Sequence, residues 1–183
     1  ELASYWSNTV HIVGKDILRH HAVYWPAFLM SANLDLPKRI FAHGWWTNEG
    51  SKISKSSGNA IDPIEIIGQF GLDQIRYFLL REITFGSDGD FSISALKSRI
   101  NADLSNDLGN LCQRSLTMIV KHCDSIVPNG SQITKSDKEF LSKISNDLIG
   151  FSSLVDNQEI NIYIKKIWDI VGEANKYFND QEP

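Results

Sequence analysis

Two short apolar runs with a helical pattern between them constrain the fold of this chain more than any other feature. The first run, Thr9–Val13, ends at Gly14, and the second, Arg39–Ala42, ends at His43-Gly44. Runs of this kind predict buried strands, and the amphipathic spacing between them predicts a helix. A strand, a helix and a strand within about forty residues predict a right-handed crossover between parallel strands.

Small and polar residues follow both predicted strands. Gly14-Lys15-Asp16 comes after the first strand, and His43-Gly44 comes after the second. Ligands of open parallel sheets bind outside the carboxyl ends of the strands. We therefore expect these two segments to form one edge that is suited to a nucleotide.

A basic segment, Lys52–Asn59, begins a few residues after the second predicted strand. It carries Lys52 and Lys55 among small hydroxyl residues, and Gly50 and Gly58 flank the two lysines. Ammonium groups on a loop that glycines allow to move suit a polyanion. The alternative is a solvated serine-rich turn, because short motifs also occur by chance.

The remainder of the sequence predicts helices. Asp62-Pro63-Ile64-Glu65 combines an N-cap, a first-turn proline and a capping-box acid, and this helix should end at Gly71. Gly86–Asp90 predicts a loop, and Ser136–Glu139 predicts a second capping box. Amphipathic patterns predict three further helices, over about Ser94–His122, Ser136–Val155 and Ile160–Phe178. Three such helices joined by short loops favour an antiparallel bundle.

Several segments resemble the methionyl-tRNA synthetase family of class I aminoacyl-tRNA synthetases. The basic segment is similar to the Lys-Met-Ser-Lys-Ser signature of that class, with Ile53 at the methionine position. The other similar segments are His11–Ala27, Phe41–Trp46, Arg99–Leu104 and Leu108–Leu111. The resemblance spans nearly the whole chain and implies a bacterial-type enzyme.

The resemblance implies an α/β half of a Rossmann-like nucleotide-binding sheet followed by an all-α anticodon-binding helix bundle. We expect the second half of the catalytic domain over residues 1–61, a connecting helical segment that is similar to a stem-contact segment over 62–93, and a truncated anticodon-binding bundle over 94–183. Family enzymes are longer and carry an early His-Ile-Gly-His-like ATP signature, which this sequence lacks. We therefore expect a fragment that is inactive in isolation.

Roles at the predicted strand ends also follow from the resemblance. Lys52 and Lys55 would be catalytic, holding the triphosphate of ATP while the carboxylate of methionine attacks. The other ATP-binding residues would be Gly14, Asp16, His43, Gly44 and Trp46. Asp16 as a helix-start acid and Trp46 as a core aromatic residue are the alternatives.

Two helical pairs complete the implied site residues. Ile17 and His21 lie one turn apart and would line the methionine pocket, although a lone histidine on an apolar face is also typical of a core. His20 should point elsewhere. Asn110 and Arg114 share a helix face and would bind the anticodon, with Arg114 as a solvated helix charge as the alternative.

The implied partners are ATP, methionine and tRNA(Met), with Mg²⁺ accompanying ATP and no dedicated protein ligand assignable to it. Cys112 and Cys123 are isolated, so these residues predict no metal site, and any zinc knuckle would belong to a preceding segment. The longest apolar stretch, Ala22–Met30, is too short to cross a bilayer, so we expect a cytoplasmic protein without a membrane partner.

Two other functions are compatible with the sequence alone. Other class I synthetases, such as the cysteine and leucine enzymes, share the lysine signature, although Gly14–Ala27 favours the methionine family. A tRNA-binding fragment without catalytic activity is the second alternative, because the early ATP signature is absent.

Overall fold

The computed structural model describes residues 5–6, 8–53, 58–130 and 133–181. The chain divides into two compact units, unit 1 with Glu1–Asp62 and Ile83–Phe91, and unit 2 with Pro63–Glu82 and Ser92–Pro183. The strands are β1 (Val10–Gly14), β2 (Arg39–His43), β3 (Trp46–Asn48), β4 (Ser51–Lys52) and β5 (Gly89–Phe91). The helices are α1 (Trp25–Ser31), α2 (Pro63–Phe70), α3 (Leu72–Glu82), α4 (Ile93–Arg99), α5 (Asn110–His122), α6 (Lys135–Asp147), α7 (Phe151–Asp156) and α8 (Ile160–Gln181), with a 3₁₀ turn at Lys15–Ile17 and π-helical stretches at His20–Tyr24 and Ile100–Gly109.

In unit 1, β1 and β2 form the predicted parallel pair. The register runs from Val10 opposite Arg39 to Gly14 opposite His43. The connection between the strands is helical, passing through the 3₁₀ turn and the π-helical stretch into α1. The predicted crossover of strand, helix and parallel strand is therefore confirmed, and its two strand ends lie side by side.

A second small sheet in unit 1 has the strand order β4-β3-β5. The β3–β4 hairpin turns at Glu49 and Gly50, whose φ angles are 49° and 74°. Positive φ at both central residues is the requirement of a two-residue type I′ turn. Strand β5 pairs in parallel with β3, so the prediction of a loop over Gly86–Asp90 is wrong at its end. Glycine and aspartate are depleted in strands, and the pairing partner of β5 lies far back in the sequence.

Gly44 is buried where the returning chain crosses the end of β2. A β-carbon at this position would lie 2.2 Å from the backbone oxygen of Ser87 and 2.5 Å from the backbone nitrogen of Asp88. Real β-carbons do not approach backbone this closely. The crossing therefore requires glycine at position 44, and it brings Asp88 to the carboxyl end of the parallel pair.

Unit 2 is helical. Phe78 and Leu96 are the largest fully buried side chains among its described residues, and α8 packs against α3, α5, α6 and α7. The long helix predicted over Ser94–His122 is continuous but contains the π-helical stretch in its middle. Ser92 caps its start by accepting a hydrogen bond of 3.1 Å from the Ala95 amide.

Two predictions for the later helices of unit 2 are wrong. The capping box of α6 is formed by Thr134 and Asp137 rather than by Ser136 and Glu139. A threonine with an acid three residues later satisfies the same rule, so the sequence offers two overlapping boxes. The helix predicted to reach Val155 is interrupted because Gly150 adopts a left-handed φ of 83°, which separates α6 from α7.

A partly buried polar cluster joins α3 to the long helix of unit 2. The hydroxyl of Tyr77 donates a hydrogen bond of 2.5 Å to Asp103, which is only 7% exposed. Arg99 pairs with Glu82 at 2.9 Å and with Asp103 at 3.4 Å. Burial, together with the bond to Asp103, raises the pKa of Tyr77, so its hydroxyl remains a donor.

None of the helices that the described residues form is both long and apolar enough to cross a membrane.

The crossing at Gly44 yields a stability prediction. Gly44→Ala should destabilise the protein by about 1–3 kcal/mol, because the added methyl group has no space against the backbone of residues 87–88. Gly68→Ala is the matched control, since no atom lies within 4 Å of its β-carbon position in α2. That control should be stabilising by roughly 0.5–1 kcal/mol. Denaturant unfolding of both variants measures the difference, and a Gly44→Ala protein as stable as the wild type would contradict the prediction.

Candidate functional site

The carboxyl ends of β1 and β2 bring together three of the predicted nucleotide contacts. A β-carbon on Gly14 would lie 2.5 Å from a carboxylate oxygen of Asp16 and 4.0 Å from Cε1 of His43. The Asp16 carboxylate and the His43 ring therefore converge on the space that glycine leaves open. A carboxylate and an imidazole around exposed backbone can hydrogen-bond a sugar or an amine.

Trp45 follows this strand end and contacts two lysines. The Lys15 ammonium lies 4.3 Å from the centroid of the Trp45 ring, and the Lys52 ammonium lies 5.8 Å from it. Both distances are within the range of cation–π attraction. The indole thus connects the end of β1, the segment after β2 and the start of the lysine segment.

Asp88 accepts hydrogen bonds from two of these groups. Both of its carboxylate oxygens lie 2.6 Å from the Lys15 ammonium, and one of them accepts a 2.9 Å bond from the Trp45 amide. The bond from Lys15, followed by that from Trp45, lowers the pKa of Asp88. The carboxylate is therefore ionised at neutral pH and offsets the charge of Lys15.

Lys52 lies on β4, in the hairpin that leads into the lysine segment. Asn59 donates a 3.0 Å hydrogen bond to the Lys52 carbonyl, and Asn48 donates a 3.0 Å bond to the Asn59 carbonyl. These two amides join the ends of the segment to the hairpin. Lys55, the second predicted catalytic lysine, lies outside the described residues.

Asp90 anchors the same hairpin from β5. Its carboxylate accepts hydrogen bonds from the Thr47 hydroxyl at 2.5 Å and from the Gly50 amide at 2.8 Å. The bond from Thr47, followed by that from Gly50, holds the pKa of Asp90 below its ordinary value. The ionised carboxylate thereby restrains both the strand and the turn that precede Lys52.

The other two predicted nucleotide contacts, Gly44 and Trp46, lie between these groups. Gly44 accommodates the crossing backbone of residues 87–88, and His43 Nδ1 lies 2.8 Å from its carbonyl oxygen. Trp46 is half-buried and begins β3, where it is paired with Gly89. Its ring would lie 3.2 Å from a β-carbon on Gly89, so it packs closely against β5.

An open, mostly apolar groove lies beside β1 and α1. It is lined by His11, His20, His21, Tyr24, Trp25 and Phe28. His21 lies in the groove, and its Nδ1 is 3.0 Å from the Ile17 carbonyl oxygen. Ile17 is 40% exposed and does not contribute to this lining among the residues that the structure describes.

His20 also lines the groove, so the expectation that it points elsewhere is wrong. The reason is local. Residues 20–24 are π-helical, and the wider turn of a π-helix changes which neighbours share a face. Trp25 lies in the same groove and donates a 3.3 Å bond to Nε2 of His11 on β1.

Unit 2 carries the remaining predicted pair, Asn110 and Arg114, at the start of α5. Both side chains are exposed. The Arg114 guanidinium donates a 2.5 Å hydrogen bond to Asn179 and lies 4.4 Å from the centroid of the Phe178 ring on α8. Arg114 is therefore restrained by α8 rather than simply solvated.

Several residues that hold this site were not among the predicted site residues, namely Lys15, Trp45, Asn48, Asn59, Asp88 and Asp90. Asp90 lies in β5 and Asp88 lies just before it, and the pairing of β5 with β3 brings both carboxylates to the groups that they contact. Within the described ranges, no group of three or more histidine, cysteine, aspartate or glutamate side chains is placed to hold a metal ion.

Comparison with known proteins identifies the family. The profile described as "tRNA synthetases class I (M)" matches residues 1–116. The methionine–tRNA ligase of Brucella suis biovar 1 is 53% identical over 180 residues, which is 98% of this chain and 35% of that protein. The methionine–tRNA ligase of Mycobacterium leprae is 51% identical over 179 residues, covering 98% of this chain and 33% of that protein. The chain thus spans about a third of the length of the curated relatives it matches.

Solved structures agree with this family. The crystal structure of Mycobacterium tuberculosis methionyl-tRNA synthetase bound by methionyl-adenylate superposes with a TM-score of 0.91 at 49% identity, covering 98% of this chain and 35% of that one. The apo form of the Mycobacterium tuberculosis enzyme gives a TM-score of 0.86 at 46% identity, with 98% and 34% covered.

The hydrogen bonds that Asp90 accepts from the β3–β4 hairpin predict how the stability of the protein depends on pH. Because the folded pKa of Asp90 lies below its ordinary value of 3.8, its contribution to stability is complete above 3.8 and is lost as the pH falls through the folded pKa. In a carboxyl ¹³C NMR titration, Asp90 should titrate below 3.8. Thr47→Val, which removes the donor with the largest effect, should raise that midpoint.

The control for this titration is Thr117→Val, an exposed threonine of unit 2, which should leave the midpoint of Asp90 unchanged. An Asp90 midpoint at or above 3.8 in the wild type would show that the bonds from Thr47 and Gly50 do not hold the hairpin in solution.

Proposed function

This chain belongs to the class I tRNA synthetases (M), and we propose that it is part of a methionine–tRNA ligase. The observation that carries the proposal is the convergence at Trp45. There the end of β1, the segment after β2 and the first lysine of the signature lie around one indole ring. The relatives and the adenylate-bound neighbour support methionine and ATP as the substrates.

The proposed reaction has two steps. The carboxylate of methionine attacks the α-phosphorus of ATP, which gives methionyl-adenylate and releases pyrophosphate. The terminal adenosine hydroxyl of tRNA(Met) then attacks the methionyl carbonyl and releases AMP. Mg²⁺ enters with ATP as part of the substrate, and the described residues include no dedicated ligand set for it.

We assign the nucleotide to the carboxyl ends of β1 and β2. Gly14 and Asp16 would contact the ribose or the adenylate, and the backbone after β2 at His43 and Gly44 would contact adenine. The absence of a side chain on Gly14 supports this assignment, because it leaves open the space beside the Asp16 carboxylate, one oxygen of which would lie 2.5 Å from a β-carbon at this position. Trp46, which is half-buried against β5, would bound the adenine subsite on that side.

Lys52 and Lys55 would stabilise the triphosphate as charge develops on the leaving pyrophosphate. Their ammonium groups would hold the triphosphate in the ground state, and they would lower the barrier further by meeting the charge that develops in the transition state. In the part of the chain that the structure describes, no carboxylate pairs with the Lys52 ammonium, whereas Asp88 pairs with Lys15. Lys52 therefore has its charge available for a phosphate.

We propose that methionine binds in the groove beside α1. Its thioether is polarisable and interacts favourably with aromatic side chains, which line much of this groove. His21 would lie at the end of the methionine side chain and Ile17 beside it. The 3.0 Å separation of His21 Nδ1 from the Ile17 carbonyl oxygen fixes the ring and leaves Nε2 as its other polar atom.

We further propose that the anticodon binds at Asn110 and Arg114. An amide and a planar guanidinium can hydrogen-bond or stack on an unpaired base. The bond to Asn179 and the contact with Phe178 support a preset orientation of the guanidinium.

We also propose that the layer of β1 and β2 is part of a Rossmann-like sheet. The proposed domains are the second half of the catalytic domain at residues 1–61, a connecting helical segment at 62–93 and an anticodon-binding bundle at 94–183. The proposed location of tRNA charging is the cytoplasm.

The catalytic lysines give the first functional test. In the full-length protein, Lys55→Ala should slow methionine-dependent ATP–pyrophosphate exchange at least about a hundredfold, because its charge acts on the developing pyrophosphate. Methionine binding should stay nearly normal. Lys38→Ala, which removes an exposed lysine of unit 1, is the control and should retain full exchange. An unchanged exchange rate in Lys55→Ala would refute the proposed role of the segment.

Arg114 gives a test that separates two activities. Arg114→Ala should reduce aminoacylation of tRNA about tenfold or more while ATP–pyrophosphate exchange stays near wild type, since one bidentate base contact is worth roughly 1–3 kcal/mol. Lys121→Ala removes another exposed cation from α5 and should charge tRNA normally.

The contacts of Arg114 with α8 make a stability control necessary for that experiment. If Arg114 serves only to anchor α5 to α8, the variant should unfold at a lower temperature and lose both activities together. That joint loss would remove Arg114 from the proposed anticodon site.

A further inference from the structure

The Asp88 carboxylate contacts both the Lys15 ammonium and the backbone amide of Trp45, whose ring faces that ammonium. Each of its carboxylate oxygens is 2.6 Å from the Lys15 ammonium, and one also accepts the 2.9 Å bond from the Trp45 amide. The Lys15 ammonium in turn lies 4.3 Å from the centroid of the Trp45 ring. Asp88, Lys15 and Trp45 therefore form a closed set of contacts, which we call the Asp88 triad.

The backbone of the Asp88 triad is also held. The chain at Ser87 and Asp88 crosses Gly44 so closely that a β-carbon there would lie 2.2 Å from the Ser87 oxygen. The Gly89 amide donates a 2.8 Å hydrogen bond to the Trp45 carbonyl. Trp45 is thus bonded through its amide and its carbonyl to the segment that carries Asp88.

Lys52 contacts the Asp88 triad through the ring. Its ammonium lies 5.8 Å from the centroid of Trp45, so the same indole attracts both lysines. Two cations near one ring repel each other, and the ionised Asp88 offsets the charge of Lys15. The ring can therefore attract Lys52 without placing it beside an uncompensated positive charge.

We propose that Asp88 is a positioning residue, which fixes Lys15 and Trp45 as a support that orients Lys52 toward a bound polyphosphate. This inference rests on the proposed function, because it assigns Lys52 to the phosphates of ATP. Asp88 itself touches no reacting atom. Its removal leaves Lys15 uncompensated beside the ring and releases one bond to Trp45, so the ammonium of Lys52 becomes less well placed.

The test is steady-state ATP–pyrophosphate exchange by the full-length protein. Asp88→Asn, which removes the charge and keeps the size, should raise the KM for ATP about fivefold and leave the KM for methionine within about twofold. Trp45→Leu should have the same effect, whereas Trp45→Tyr retains a ring and should keep most of the ATP affinity. Asp35→Asn removes an exposed carboxylate of the same unit and should behave as wild type.

A double-mutant cycle decides whether Asp88 acts through the ring. Adding Asp88→Asn to Trp45→Leu should raise the KM for ATP no further, because the support is already lost. Independent, multiplying effects would overturn the inference. So would an unchanged KM for ATP in Asp88→Asn, or a rise in both KM values together with a lower melting temperature, which is the result of a merely structural role.

Lys52→Ala, measured beside these variants, separates this inference from the proposed function. If Lys52→Ala abolishes exchange while Asp88→Asn keeps its affinity for ATP, only the positioning role is overturned. If Lys52→Ala leaves exchange unchanged, the proposed role of the lysine segment is overturned, and the role of Asp88 with it.

Discussion

Parallel strands can be joined only by a crossover, and in unit 1 the crossover between β1 and β2 brings the residues that follow both strands together. The ladder sets Gly14 opposite His43, so the residues that follow each strand emerge at one edge. Side chains alternate along a strand, so a slip of one residue would turn every side chain to the other face. The convergence of Asp16 and His43 on Gly14 therefore depends on this single register.

The segment Ile83–Phe91, which belongs to unit 1, adds the second constraint on this edge. Strand β5 is short, but Asp90 within it and Asp88 just before it bind groups that backbone pairing does not satisfy. Asp90 satisfies the amide of Gly50 in a turn, and Asp88 satisfies the amide of Trp45. Asp90 also binds the Thr47 hydroxyl, and Asp88 also binds the Lys15 ammonium, so each carboxylate restrains two groups at once. The lysine segment thus begins from a hairpin that is held from outside.

Local sequence patterns were sufficient for the elements of this chain whose contacts are local or regular. The two apolar runs predicted β1 and β2 and their parallel pairing, and the helical spacing predicted the long helix of unit 2. Patterns failed where a distant partner decides the outcome. Gly89-Asp90-Phe91 resembles a turn until β3 is beside it, and nothing in the sequence near Trp45 indicates that Asp88 will bind its amide.

The same limit applied to the site residues. The motif predicted Lys52 as a site residue, and helical spacing predicted Ile17 and His21 on one turn, but no sequence signal indicated the π-helical stretch that brings His20 into the groove. Arg114 illustrates the limit in unit 2. The helical pattern predicted that its side chain is exposed, but it did not indicate that the guanidinium is bonded to Asn179 and packed on Phe178, more than sixty residues later.

Restraint of this kind does not remove Arg114 from recognition. A guanidinium carries several N–H donors in one plane, and the bond to Asn179 uses one of them. The Phe178 ring covers one face of the guanidinium plane and limits the rotamers that the Arg114 side chain can adopt. A side chain that is already ordered loses less entropy when a ligand binds than a freely rotating one does. Anchoring by α8 and the proposed binding of an external base would therefore draw on different parts of the same group, and the first would lower the entropic cost of the second.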